Sequence, residues 1–188
     1  MHEHEFFEER RSALEEAFFR NQDEKVKARL RDKVTGEAHR AQLRAAGVND
    51  EKVLEELVRQ GITAGTMAAI HLVPLVAVAW ADGKVQESER TAILAAAEKS
   101  GVAKGTDAHA LLDTWLTRQP ESALVAAWRD FVRSIAGSMP GDSRDLFRAQ
   151  VMSQANAVAK ASGGVLGFGS SVSLSEKRVL AELEAALA

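Results

Sequence analysis

Apolar residues recur at three- and four-residue intervals along most of this chain, and the two-residue alternation of a half-buried strand is hard to find. The spacing predicts a succession of amphipathic helices. In the first, from His4 to Lys33, Phe7, Leu14 and Phe18 form one stripe, and Phe19, Val26 and Leu30 form a second. Gly36 breaks the pattern, and a second helix covers Glu37 to Ala46. A third, capped by Asn49 or Asp50, carries Val53, Leu54, Leu57 and Val58 before Gly61 closes it. Thr63 to Ala81 is apolar almost all round, which predicts a central helix kinked at Pro74. Helices follow over Glu87 to Ser100 and over the segment bearing Leu111, Leu112, Trp115 and Leu116, the latter capped by Thr106 or Asp107. Pro120 suits the first position of the next, where Leu124, Trp128, Phe131 and Ile135 give the cleanest stripe in the chain. Pro140-Gly141 reads as a turn. A long helix from Ser143 to Ala161 and a last one from Leu174 to Leu187 complete an all-α bundle of about nine helices.

One joint in this series carries more information than the rest. Residues 78–90 read Val-Ala-Trp-Ala-Asp-Gly-Lys-Val-Gln-Glu-Ser-Glu-Arg. The apolar run stops at Asp82-Gly83, where glycine allows the left-handed turn that ends a helix, and Val85 points back toward a core. Glu89 falls at the third position of the following helix, where it can accept from the backbone of Gln86 and favour the helix dipole. Asp82 can satisfy donors in the corner itself. The same joint returns later in the chain. Val172-Ser173-Leu174-Ser175-Glu176-Lys177 aligns with Val85-Gln86-Glu87-Ser88-Glu89-Arg90, and Ala161-Ser162-Gly163 with Ala81-Asp82-Gly83. The second copy lacks the aspartate and carries an insertion of about seven residues, and its Ser173-x-x-Glu176 is a capping box.

The Ala-Asp-Gly-Lys-Val-x-x-x-Glu-Arg pattern resembles the corner motif of TerB-like (tellurite-resistance) domains, whose relatives include the N-terminal domain of a membrane-anchored J-domain co-chaperone. The resemblance covers residues 62–188 and leaves 1–61 as an N-terminal helical extension. It implies a TerB-like helical bundle, a non-enzymatic interaction or scaffold role in a tellurite or metal-stress response, and association with metal. Asp82, Glu87 and Glu89 are the candidate ligands: converging with backbone carbonyls and water, they suit a hard cation such as Ca²⁺ or Mg²⁺. An EF-hand is excluded, because aligning Gly83 with that loop's glycine places Val78 and Trp80 where its first two acidic ligands belong.

Composition narrows the alternatives. The chain has 188 residues, is 46% hydrophobic and 27% charged, and carries a formal net charge of −3 with both signs interspersed. No clustered basic face marks a nucleic-acid binder. With no cysteine, thiolate chemistry and cysteine-based zinc sites are excluded. The charged N-terminus lacks the apolar region of a signal peptide, and Ile62 to Ala81 is too polar for a membrane span, so a cytoplasmic protein is expected. The histidines are scattered, and His71 reads as a satisfied core residue. The glycine-rich segment 163–171 has neither the Gly-Lys-Ser/Thr nor the preceding strand of a phosphate loop. A metal-dependent enzyme built on the Asp82/Glu89 corner and a purely structural oligomer subunit are the rival readings. The two stripes of the first helix have more to bury than one neighbour covers, which marks Phe7, Leu14, Phe18 and Phe19 as a surface for a protein partner or a second copy.

Overall fold

The structure is a computed structural model that describes residues 35–45, 47–137, 139–161 and 172–188. The expected first helix, its Phe7, Leu14, Phe18 and Phe19 stripes, and the glycine-rich segment lie outside the described residues. The described residues are all-helical, with eight helices and no strand. We number them α1 (35–45), α2 (Glu51–Arg59), α3 (Val73–Ala79), α4 (Glu87–Lys99), α5 (Asp107–Thr117), α6 (Ser122–Ala136), α7 (Gly141–Ala161) and α8 (Leu174–Ala186), with a 3₁₀ segment at Met67–Leu72. Residues Met1–His39 separate by contacts from a compact unit, Arg40–Ala188, which holds α2 to α8.

Local chemistry sets the helix ends. Asp50 accepts from the backbone N–H groups of Lys52 and Val53 at 2.9 and 3.1 Å, satisfying two donors that the first turn of α2 leaves without helical partners. At its other end Gly61 takes φ +80°, and the N–H of Ile62 reaches back to Leu57 O at 2.9 Å. Gly101 repeats the device after α4, with Val102 N donating to Ala97 O at 2.9 Å. In both cases the residue after the glycine is fully buried, so the left-handed turn ends the helix and drops an apolar side chain into the core. Thr106 caps α5 through the N–H of His109.

The core is one cluster of buried residues running from Leu43 to Leu187, and it crosses the expected boundary at residue 61. Its centre is α3. Six of its seven residues are buried, and it packs against α4, α6, α7, α8 and the 3₁₀ segment. The contacts follow an exchange pattern: α3 lies on α7, α4 packs on α7, and α8 packs on α3. This is what the sequence echo predicts if α3-corner-α4 and α7-loop-α8 are two versions of one unit. Trp128, Leu124 and Phe131 of α6 close one side, as their spacing predicts.

Two expectations need correction. Thr63 to Ala81 is not one kinked helix. Thr66 Oγ1 accepts from Thr63 N and donates to Gly61 O, both at 2.8 Å, which holds a turn, then a 3₁₀ segment, before α3 begins. Pro74 sits in the first turn of α3, where a missing N–H costs nothing. Pro120, expected at the first position of the next helix, stands outside α6, whose cap is the extended residue Glu121. No helix among the described residues is long and apolar enough to cross a membrane. Pro74→Ala therefore tests the boundary. Removal of a mid-helix proline would stabilise by about 3 kcal/mol. Here the expected result in urea unfolding is a loss of about 1 kcal/mol, from the packing of a buried ring.

Candidate functional site

The chain turns sharply between α3 and α4 at Asp82-Gly83. Gly83 takes φ +88° and its N–H closes on Trp80 O at 2.9 Å. Trp80 turns its indole inward, and Nε1 donates to Trp115 O at 2.8 Å, tying the corner to the end of α5. Arg90 pairs with Asp113, joining α4 to α5. Val85 packs partly buried against the core.

The three expected ligands part company here. Asp82 is exposed, and its Oδ1 accepts from the backbone of Lys84 at 3.2 Å. Glu87 is exposed on the outer side of the first turn. Glu89 is 2% exposed, and its Oε2 accepts from the N–H of Gln86 at 2.8 Å. The corner thus brings Asp82 and Glu89 into electrostatic contact and leaves Glu87 facing solvent. Among the described residues no group of three or more His, Asp or Glu side chains gathers in the manner of a metal site.

What sequence reading missed is the partner of Glu89. In the second copy of the joint, Glu176 is buried as well, and it accepts from Ser173 N at 2.5 Å while Ser173 Oγ accepts from Glu176 N at 3.2 Å. The exchange packing of the two units brings the two capping glutamates within electrostatic reach of one another. Burial raises the Glu89 pKa to about 7; the negative charges of Asp82 and Glu176 add to the rise, and the Gln86 hydrogen bond opposes it. The signal available in the sequence was the repeated capping glutamate, but nothing local says that both face inward.

A cavity of about 350 Å³ adjoins the corner without including its carboxylates. It lies between α3, the Gln119–Ser122 segment, α6 and α8, with Val73, Val76, Trp80, Val125, Val179 and Leu183 among its apolar walls. Its charged residues are Glu121, Arg129 and Glu182, and Arg129 Nη2 donates to Glu182 Oε2 at 3.0 Å. Neither Asp82, Glu87 nor Glu89 lines it. The Arg129–Glu182 pair joins residues 53 apart in the chain, so no sequence spacing announces it. His71, expected in the core, is exposed instead; its ring meets Phe147 edge-on at a centroid distance of 6.3 Å, and partial desolvation lowers its pKa.

Comparison of the chain with family models, with curated proteins and with solved structures gives no match.

The raised pKa of Glu89 has a definite consequence for stability. The folded protein holds the Glu89 proton up to about pH 7, whereas the unfolded chain releases it from its ordinary value of 4.5. Stability contributed by this group is therefore complete at acid pH and falls as pH rises through that window, by roughly 1–3 kcal/mol. Glu89→Gln keeps an oxygen for the Gln86 N–H and removes the charge. It is expected to match the wild type in acid and to exceed it in urea unfolding above pH 7. A variant less stable than the wild type above pH 7 would show that the ionised carboxylate is a net stabiliser.

Proposed function

We propose that this chain is a non-enzymatic, TerB-like interaction or scaffold module acting in the cytoplasm, in a tellurite or metal-stress response. The observation that carries the reading is the use made of the corner carboxylates. Glu89 closes the first turn of α4 from inside the core, Asp82 binds the loop backbone, and neither borders the adjoining cavity. A catalytic carboxylate must meet its substrate in a concave site. These two instead hold the joint between two helices. Partner binding or self-association falls to the N-terminal stripes Phe7, Leu14, Phe18 and Phe19, which carry more apolar surface than one neighbouring helix covers. On this reading wild-type protein is oligomeric by light scattering and a chain lacking residues 1–34 is monomeric and folded. An unchanged mass would remove the arm from the interface.

A weak divalent-cation site at the Asp82/Glu89 corner, for Ca²⁺ or Mg²⁺, is the second reading. It is favoured by the charges of Asp82 and Glu176 bearing on Glu89, which a cation would offset. Thermal unfolding of chelator-treated protein with excess Ca²⁺, Mg²⁺, Mn²⁺ or Zn²⁺, beside Asp82→Asn, separates the two. A cation that binds only the folded state adds about 2.7 kcal/mol at a hundredfold over its dissociation constant, a shift of several degrees. The module reading expects the same midpoint with and without each ion. A shift in the wild type that Asp82→Asn lacks would establish the corner as a cation site.

A further inference from the structure

The outward face of α7 has a composition that the fold itself does not use. This helix packs on α3, α4 and α8 and buries Val151, Ala155, Val158 and Ala159. At about 100° per residue, Asp142, Leu146, Ala149, Ser153, Ala157 and Lys160 fall on the opposite side within an arc of about 80°, and all six are exposed. Residues 149–159 hold no charged side chain, although a helix that only faces water normally displays them there. Leu146 is 72% exposed, one of two large apolar side chains so placed among the described residues. Within the arc, charge stands only at the ends, with Asp142 in the first turn and Lys160 in the last. Neither has an ion pair among the described residues.

We propose that α7 pairs antiparallel with α7 of a second copy of this chain, about a two-fold axis level with Val151. Asp142 and Lys160 each lie nine residues from that level, about 13.5 Å along the helix. The two-fold therefore sets Asp142 of each copy beside Lys160 of the other and forms two ion pairs. A parallel pair in register would set like charge against like. Ala149 and Ser153 each lie two residues from the same level, so Ala149 faces Ser153 of the second copy and the helices approach closely at their centre. Leu146 then enters the space left by Ser153 and Ala157 of the second copy. The end charges set the direction of pairing, the small residues set its distance, and Leu146 supplies most of its apolar area. One helix face buries less than the roughly 1,200 Å² of a stable interface, so the contact is weak. Pairing of α7 needs no contribution from the N-terminal arm: dilute chain without the arm stays monomeric, and an arm that joins copies raises the local concentration at which α7 pairs.

The chain has no cysteine, so disulfide trapping of the full-length protein starts from a silent background. Full-length Asp142→Cys and Lys160→Cys proteins are oxidised mildly at high concentration, each alone and in equal mixture. The mixture is expected to form cross-linked dimer about tenfold faster than either protein alone. Two residues at position 142, or two at 160, lie about 27 Å apart along the axis, beyond the reach of a disulfide, and the mixed pair keeps its second Asp142–Lys160 contact. Leu146→Glu, placed in both proteins, is expected to slow the mixed reaction about tenfold. Position 146 is exposed, so thermal unfolding of that variant matches the wild type. The proposal is overturned if the mixture links no faster than the separate proteins, if 142 links to 142 or 160 to 160 at the mixed rate, or if Leu146→Glu leaves the rate unchanged. A face covered by the N-terminal arm or by a different protein gives the first of these results.

Discussion

Everything in this bundle answers to the enclosure of α3. With six of seven residues buried, it keeps only Ala77 partly open to water, and a seven-residue helix cannot hold itself together by its own hydrogen bonds. It exists because α4, α6, α7 and α8 surround it. The hydrophobic surface it removes from water is what the surrounding amphipathic faces share, and each of those helices keeps a polar side outward. The turn and 3₁₀ segment before α3 serve the same end. They deliver the chain into the centre with Thr66 holding the turn and Pro74 in the one region of a helix where proline is harmless.

Enclosure also explains why the acidic corner is a structural joint. A chain leaving the middle of a core must reverse sharply and satisfy the free N–H groups of the next helix in a place with little water. Glu89 does this from within, and Glu176 does it for α8. The fold thereby accepts a cost, since two carboxylates of like charge share a poorly solvated region and the Glu89 proton is held up to about pH 7. Backbone donors offset part of that cost. The same arrangement leaves an electrostatic imbalance that only a proton or a cation can relieve, which is why the corner keeps a second reading.

The cavity arises from a different constraint. The cavity lies between α3, α6 and α8 where the chain enters α6, and Glu121, the residue before that helix, is extended. Small side chains at Ala77, Ala81 and Ala126 leave the hollow open, and Arg129 and Glu182 bridge it from α6 to α8.

The all-α class, most helix boundaries, the caps at Asp50, Thr106 and Ser173, and the corner with its echo were legible in the sequence. Each rests on local physics: the periodicity of apolar residues, a side chain reaching a backbone group a few residues away, or a glycine that permits a left-handed turn. The Trp80–Trp115 bond, the inward pairing of Glu89 with Glu176, the Arg129–Glu182 bridge and the cavity were decided by tertiary structure, because each joins residues far apart in the chain. The break of the Thr63–Ala81 run belongs there too. Apolar composition shows that a segment must be buried, but whether it is buried as one helix or as a turn, a 3₁₀ segment and a short helix depends on the shape of the space its neighbours leave. Helical periodicity carries no information about that shape.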